Sequence, residues 1–133
     1  MGTRSLIGRK REDGKIEAIY CHWDGYPSHN GRILLKHYQD PKKVAALMEL
    51  GALSSLDSEL GEKHPFDDGV DGWCTAYGRD RGETETEKMV VGSLEELATE
   101  EYLYLFVDGR WLFCRSYDSL DLQDLTEEDC NAD

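Results

Sequence analysis

The sequence predicts an α+β domain: an antiparallel sheet of four to five strands from an N-terminal and a C-terminal β-hairpin, with two to three helices on one face. Two hairpin patterns, near the two ends of the chain, and helical periodicity over residues 31–50 between them lead to this prediction. A third, short helix is predicted after Ser93, which forms a capping-box pattern with Glu96.

The N-terminal hairpin is predicted over residues 4–23. Its strands are Arg4–Arg11 and Ile16–Trp23, and the polar residues between them form a turn with Gly14 in the left-handed position. The second strand carries apolar groups on both faces, which indicates a strand in the middle of the sheet.

The C-terminal hairpin has the clearest pattern in the chain. Asp108 and Gly109 lie between two apolar runs and predict a two-residue type I′ turn that pairs Val107 with Arg110. On one face, this register gives two aromatic pairs, here called the aromatic ladder: Phe106 with Trp111 and Tyr104 with Phe113. The helices are expected on the opposite face, so the ladder would be covered by the middle loop or by a second protomer.

Two helices are predicted between the hairpins. Asn30 is expected to cap a helix over residues 31–39. Asp40 and Pro41 then provide the N-cap and the first residue of a second helix, which Gly51 ends.

Residues 54–88 have the weakest periodicity. The elements predicted there are a polar helical turn, a short strand and a charged surface segment, at residues 54–60, 73–78 and 79–88. Asp67, Asp68 and Asp71 miss the spacing of a calcium loop and its bidentate glutamate. No metal site or cofactor is therefore predicted.

Composition indicates one folded domain, residues 1–133, with a strongly acidic surface. The chain has 28 acidic and 15 basic residues and a net charge of -13. Such a charge repels nucleic acid and anionic membranes and favours a basic partner surface. Residues 117–133 contain no lysine or arginine and are predicted to form a partly flexible acidic tail.

The cysteines have no metal-ligand spacing, and neither a signal peptide nor a long apolar run is present. These observations predict a protein of the reducing cytoplasm with free thiols.

Two segments resemble a family of small phage and prophage proteins. They are Met1-Gly2-Thr3-Arg4-Ser5-Leu6-Ile7 and Cys21-His22-Trp23-Asp24-Gly25-Tyr26-Pro27. The similarity continues through Asn30-Gly31 and His37-Tyr38 to Leu50-Gly51-Ala52-Leu53-Ser54. It implies a viral or mobile-element origin, and no catalytic residue is carried over from it.

We therefore expect a phage-encoded interaction protein of the host cytoplasm, similar to an anti-CRISPR protein or a DNA mimic. It would bind a basic surface of a host protein or ribonucleoprotein complex and inhibit a nucleic-acid-handling or defence complex, without binding nucleic acid or membrane directly. A homodimer is compatible with this expectation. Aromatic anchors and acidic side chains are predicted to contact the partner: Trp23, Asp24, Tyr26, Trp111, Asp118, Asp121, Asp124, Glu127, Glu128 and Asp129.

The alternative is a small enzyme, or a metal- or nucleotide-binding protein, with its site at His22, Asp24 and His29. These side chains could bind a metal or form a base with an orienting carboxylate. Cys21 or Cys114 could act as a nucleophile only if its thiol were accessible. The phosphate-binding, hydrolase and zinc-protease motifs are missing, so no catalytic residue is assigned.

Overall fold

The computed structural model describes residues 3–116 and 119–131, and these residues form an α+β fold with one eight-stranded sheet, as the predicted class requires. The strands are β1 (Ser5–Lys10), β2 (Ile16–Cys21), β3 (Leu53–Ser55), β4 (Thr75–Ala76), β5 (Met89–Val91), β6 (Tyr102–Val107), β7 (Arg110–Cys114) and β8 (Gln123–Asp124). The helices are α1 (Arg32–His37), α2 (Pro41–Leu50), α3 (Tyr77–Arg81) and α4 (Glu127–Asn131). A π-helical turn (Pro27–Gly31) precedes α1, and a 3-10 helix (Leu94–Leu97) follows β5.

The two predicted hairpins meet at the centre of the sheet, in the order β4-β3-β2-β1-β6-β7-β8, with β5 beside β2. β1 and β6 run parallel, from Ser5 opposite Tyr102 to Arg9 opposite Phe106. β2 and β3 are also parallel. The sheet is therefore mostly antiparallel, as predicted, but it includes these two parallel pairs and has eight strands where four to five were predicted. A parallel pair needs a long crossover, and the chain between β2 and β6 provides it for β1 and β6.

The C-terminal hairpin has the predicted register. Asp108 and Gly109 have φ angles of 51° and 79°, as a type I′ turn requires. Val107 lies opposite Arg110, and the four residues of the aromatic ladder pair as expected. The turn of the N-terminal hairpin is also confirmed, with Gly14 at φ 86°.

The helices and the aromatic ladder lie on the same face of the sheet, so the predicted placement is wrong. All four ladder residues belong to the larger core, together with buried residues of α1 and α2: Leu34, Val44, Leu47 and Met48. The crossover that follows β2 carries α1 and α2 over the ladder. A second protomer is therefore not needed to cover the ladder.

A smaller core lies on the opposite face. It contains Leu6, Ile16, Ala18, Leu97, Leu103, Leu105 and Cys114. The 3-10 helix covers it through Leu94 and Leu97, and Leu120 and Leu122 from the C-terminal segment complete the cover. Glu96 accepts a hydrogen bond from the Ser93 N–H at 3.3 Å, which confirms the predicted cap of this helix.

Other local predictions divide between confirmed and wrong. Asp40 caps α2 by accepting from the Lys42 N–H at 2.9 Å. Residues 54–60 do not form the predicted helical turn, because β3 extends to Ser55 and Glu59 forms an isolated β-bridge with Trp73. The strand predicted over residues 73–78 shortens to β4 and is followed at once by α3, which contains a buried Asp80 where a surface segment was expected.

Leu105→Ala is expected to lower the free energy of unfolding by about 2–5 kcal/mol, since it leaves a cavity in the smaller core. Leu105 is only 3% exposed. Urea denaturation would measure the change, with Val70→Ala as a control because Val70 is 40% exposed. A loss below about 0.5 kcal/mol for Leu105→Ala would contradict the assignment of this residue to the core.

Candidate functional site

The turn after β2, residues 22–26, is held tightly to the sheet. The His22 and Trp23 N–H groups donate to the carbonyl groups of Leu53 and Ser54 at 3.0 and 3.1 Å, which prolongs the pairing of β2 with β3. Gly25 N–H donates to the Thr3 carbonyl at 2.7 Å. The turn is therefore a rigid corner of the scaffold.

Gly25 is required because the backbone of the turn passes close to the start of β1. The left-handed conformation in this turn belongs to Asp24, with φ 56°. A Cβ atom on Gly25 would lie 2.8 Å from the Thr3 carbonyl oxygen and 2.9 Å from the Ser5 Cβ. Its carbonyl accepts from the Tyr104 hydroxyl at 2.6 Å, which joins the turn to the aromatic ladder.

Asn30 lies beneath the turn and does not cap a helix, contrary to the prediction. It is fully buried inside the π-helical turn. Its Nδ2 donates to Ser5 Oγ, Cys21 Sγ and the Trp23 carbonyl, each at 3.4 Å, and its Oδ1 accepts from His29 Nδ1–H at 2.9 Å. The amide therefore ties β1, β2 and the turn together, which a cap could not do.

The structure does not bring His22, Asp24 and His29 together as one site. His22 Nδ1 is hydrogen-bonded to the Tyr20 hydroxyl at 2.8 Å, while His29 is bound to Asn30. Asp24 accepts from the Tyr26 hydroxyl at 2.9 Å. Among the described residues, no group of three His, Cys, Asp or Glu side chains is arranged to hold a metal ion. The geometry thus gives the metal and catalytic alternatives no support.

Trp23 is the exposed aromatic residue of the turn. It is 43% exposed, and the His22 ring meets it edge-on at a centroid distance of 4.7 Å. Tyr26 is half-buried, and its hydroxyl is held by Asp24. A large apolar ring on a rigid corner can bury area on a partner at a low entropic cost.

Trp111 cannot act as a surface anchor, which corrects the prediction. It is 3% exposed, and its ring lies 5.1 Å from Phe106 in the larger core. Its Nε1–H donates to the Tyr38 carbonyl at 2.8 Å. The alternation of β7 places this side chain under the helices, where a partner has no access.

The acidic C-terminal segment lies against the body of the protein. β8 pairs with β7, and α4 packs on the π-helical turn. Leu125 and Cys130 are buried, and Arg32 donates to the Cys130 carbonyl at 2.8 Å. These contacts give the described part of the segment, residues 119–131, a defined position. The predicted flexibility of residues 117–133 stays a prediction.

The predicted acidic residues are presented along this segment. Four are exposed: Asp121, Asp124, Glu127 and Glu128. Asp129 is half-buried and accepts from the Thr126 N–H at 3.0 Å, which caps α4. Asp124 forms an exposed ion pair with Arg110 at 3.1 Å. Asp118 lies outside the described residues.

The four thiols are buried. Burial raises the pKa of Cys21 to about 12, and burial likewise raises the pKa of Cys114, with the Asp121 charge adding to it. A thiol nucleophile needs a lowered pKa and access to a substrate. The geometry therefore gives a cysteine nucleophile no support either.

The sequence patterns missed a buried polar cluster around Asp80. Its carboxylate accepts from the His64 N–H at 3.1 Å, from the Ala76 N–H at 2.8 Å and from Arg79 Nε at 3.0 Å. Burial raises the pKa of Asp80, but these hydrogen bonds, led by those of Arg79, outweigh it and hold the pKa below its ordinary value. The cluster fastens the long middle loop to α3.

His64 is the second titratable group of the cluster. Its Nδ1 lies 2.9 Å from the Pro65 carbonyl oxygen and its Nε2 lies 3.2 Å from that of Cys74. Two carbonyl acceptors are best satisfied by an imidazolium, which donates from both nitrogens. The Pro65 carbonyl, together with that of Cys74 and the Asp80 carboxylate, raises the pKa of His64 despite its burial. His64 and Asp80 are 16 positions apart in a part of the chain with weak periodicity, so no sequence pattern pointed to the pair.

Comparison of the chain with protein families, with characterised proteins and with solved structures finds no match. The resemblance to phage proteins thus stays a prediction. In the described part of the chain, no helix has the length and apolar character needed to cross a membrane.

Proposed function

We propose that this protein is a phage-encoded inhibitor that binds a basic surface of a host nucleic-acid-handling or defence complex in the host cytoplasm. One observation carries the proposal: exposed carboxylates of the C-terminal segment are held in fixed positions on a body with a net charge of -13. A fixed array of charges steers encounter and selects partners better than a loose chain does.

The turn that carries Trp23 and Tyr26 is linked to the acidic C-terminal segment through the π-helical turn. The π-helical turn that follows Trp23 and Tyr26 packs directly against α4. An exposed ring can supply binding energy while the carboxylates of the C-terminal segment steer the approach. The partner would present lysine and arginine around an apolar pocket that accepts Trp23.

The target class follows from charge. A surface that has evolved to bind phosphates is rich in lysine and arginine, and a row of carboxylates can compete for it. DNA mimicry in the manner of an anti-CRISPR protein, and an ordinary acidic interface, both use this attraction. They differ in whether duplex DNA displaces the inhibitor.

The proposal is tested with the triple variant Asp121→Lys, Asp124→Lys and Glu128→Lys. Partners are captured from host lysate with the wild-type protein, and association rates are then measured at several salt concentrations. The variant is expected to associate about tenfold more slowly, with a flatter salt dependence and an unchanged melting temperature. Competition with duplex DNA separates mimicry from another interface.

The matched control reverses three exposed charges elsewhere: Glu12→Lys, Asp67→Lys and Asp68→Lys. Each reversal changes the charge by two, so both variants carry -7 where the wild type carries -13. The control should retain most of the association rate. Equal slowing in both variants would show that the association rate depends on net charge and not on the C-terminal carboxylates. Capture of no basic partner would refute the proposal.

A further inference from the structure

β5 forms an open edge of the sheet. It pairs with β2 at residues 16–18, and no other strand of the described chain pairs with it. The backbone N–H and C=O groups on the far side of such a strand are a template for another strand. Edges of this kind are commonly protected by charges within the strand, and β5 consists of Met89, Val90 and Val91.

The side chains of this edge are unusually apolar for their exposure. Val90 is 45% exposed and Met89 is 37% exposed. They point to opposite faces of the sheet, because side chains alternate along a strand. Val91 lies on the same face as Met89 but is half-buried and packs on the smaller core. An added strand would therefore find an apolar contact on each face.

A groove beside β5 adds charge to this edge. β3 pairs with β2 only at Cys21, so β2 has a gap in its pairing between β3 and β5. The gap opens into a groove of about 180 Å³ whose lining includes Tyr20, Ala52 and Met89. Glu85 and Glu87 also line it, and both side chains are exposed.

Lys88, which directly precedes β5, does not neutralise this rim. Lys88 Nζ is bound to Glu17 at 2.8 Å and to Glu49 at 2.5 Å. Glu17 is buried, so this lysine is committed to the fold. The groove thus keeps a negative rim over an apolar floor, which fits a side chain with an aliphatic stem and a cationic end.

We propose that β5 and its groove dock an extended basic segment of a partner protein, which adds to the sheet as a further strand. Its backbone would pair with β5, an apolar side chain would cover Val90, and a lysine or arginine would lie along Met89 towards Glu85 and Glu87. A second copy of this chain fits less well, since it would bring the same carboxylates and the same charge of -13 to the contact. This surface is separate from the C-terminal one, and the inference does not rest on the proposed function.

The test uses a fluorescein-labelled peptide of alternating lysine and valine, with an alternating glutamate and valine peptide as its counterpart. Fluorescence anisotropy at physiological salt measures affinity, and amide NMR shifts locate the contact. The basic peptide is expected to bind and to shift the Met89–Val91 amides, while the acidic peptide does not bind. Val90→Lys, and the pair Glu85→Lys with Glu87→Lys, should each weaken binding by about tenfold.

The matched control is Asp67→Lys with Asp68→Lys, two exposed positions of the middle loop, which changes the net charge as much as the groove pair does. It should weaken binding less than about twofold, because neither residue lines the groove. Equal weakening by both pairs, or no shift in the β5 amides, would overturn the inference in favour of nonspecific attraction. Self-association in sedimentation that Val90→Lys abolishes would overturn it in favour of a second copy. All substituted side chains are exposed, so the melting temperatures of the variants should not change. Measuring them verifies that each variant is folded.

Discussion

Trp111→Ala is expected to lower the free energy of unfolding by about 3–5 kcal/mol, the largest single effect we expect in the core. The ring is 3% exposed and packs between the sheet and the helices. Its loss would also leave the Tyr38 carbonyl without the hydrogen bond that it receives at 2.8 Å. Urea denaturation followed by circular dichroism would measure the change.

Trp23→Ala is the matched control, because it removes the same side chain from an exposed position. Trp23 is 43% exposed, so the free energy of unfolding should change by no more than about 0.5 kcal/mol. The same variant should bind a captured partner more weakly if Trp23 is the anchor. Similar destabilisation by the two variants would contradict the division into a core and a surface tryptophan.

Asp80→Ala is expected to lower the free energy of unfolding by about 3–5 kcal/mol, since it leaves buried donors and a cation without their partner. The Asp80 side chain is 0% exposed and 3.0 Å from Arg79 Nε. Removing it frees the N–H groups of His64 and Ala76 as well. Asp68→Ala, at an exposed position of the middle loop, should be close to neutral.

The pH dependence of the free energy of unfolding distinguishes the contribution of Asp80 from that of His64. The pKa of Asp80 is below its ordinary value of 3.8, so its contribution is present above that value and is lost as the pH falls through the folded pKa. The pKa of His64 is above its ordinary value of 6.5, so its contribution is full below that value and is lost as the pH rises through the folded pKa. Melting curves should show the acid step weakened in Asp80→Asn and the neutral-to-alkaline step weakened in His64→Gln. If the two variants followed the same curve as the wild type, the cluster would have no part in stability.

Local pairing and capping could be read from the sequence because their causes lie within a few residues. Asp108 and Gly109 define a turn whose geometry dictates every pair of the C-terminal hairpin. Asp40 and Pro41 start α2 for equally local reasons. In the candidate site, Trp23 is exposed on a rigid turn, and its role as an anchor stays a prediction.

Predictions that depended on which elements meet were less successful. Trp23 and Trp111 were both predicted to lie in strands and to contact a partner, yet Trp111 is buried beneath the helices and Trp23 lies at an exposed corner. Asn30 precedes a helix as a cap would, but a contact with Ser5 of β1, 25 residues away, decides its role. No local pattern encodes such partners.

The sequence by itself determined the α+β class, the two hairpins, the register of the C-terminal one, the caps at Asp40 and Ser93 and the acidic charge, since each depends on neighbouring residues or on composition. Only the tertiary structure decided the parallel pairing of β1 with β6, the face that the helices cover and the fixed position of the acidic segment. It also decided the burial of His64 with Asp80 and the open edge at β5. These features arise where distant segments compete for the same apolar surface, and the outcome depends on packing across the whole sheet.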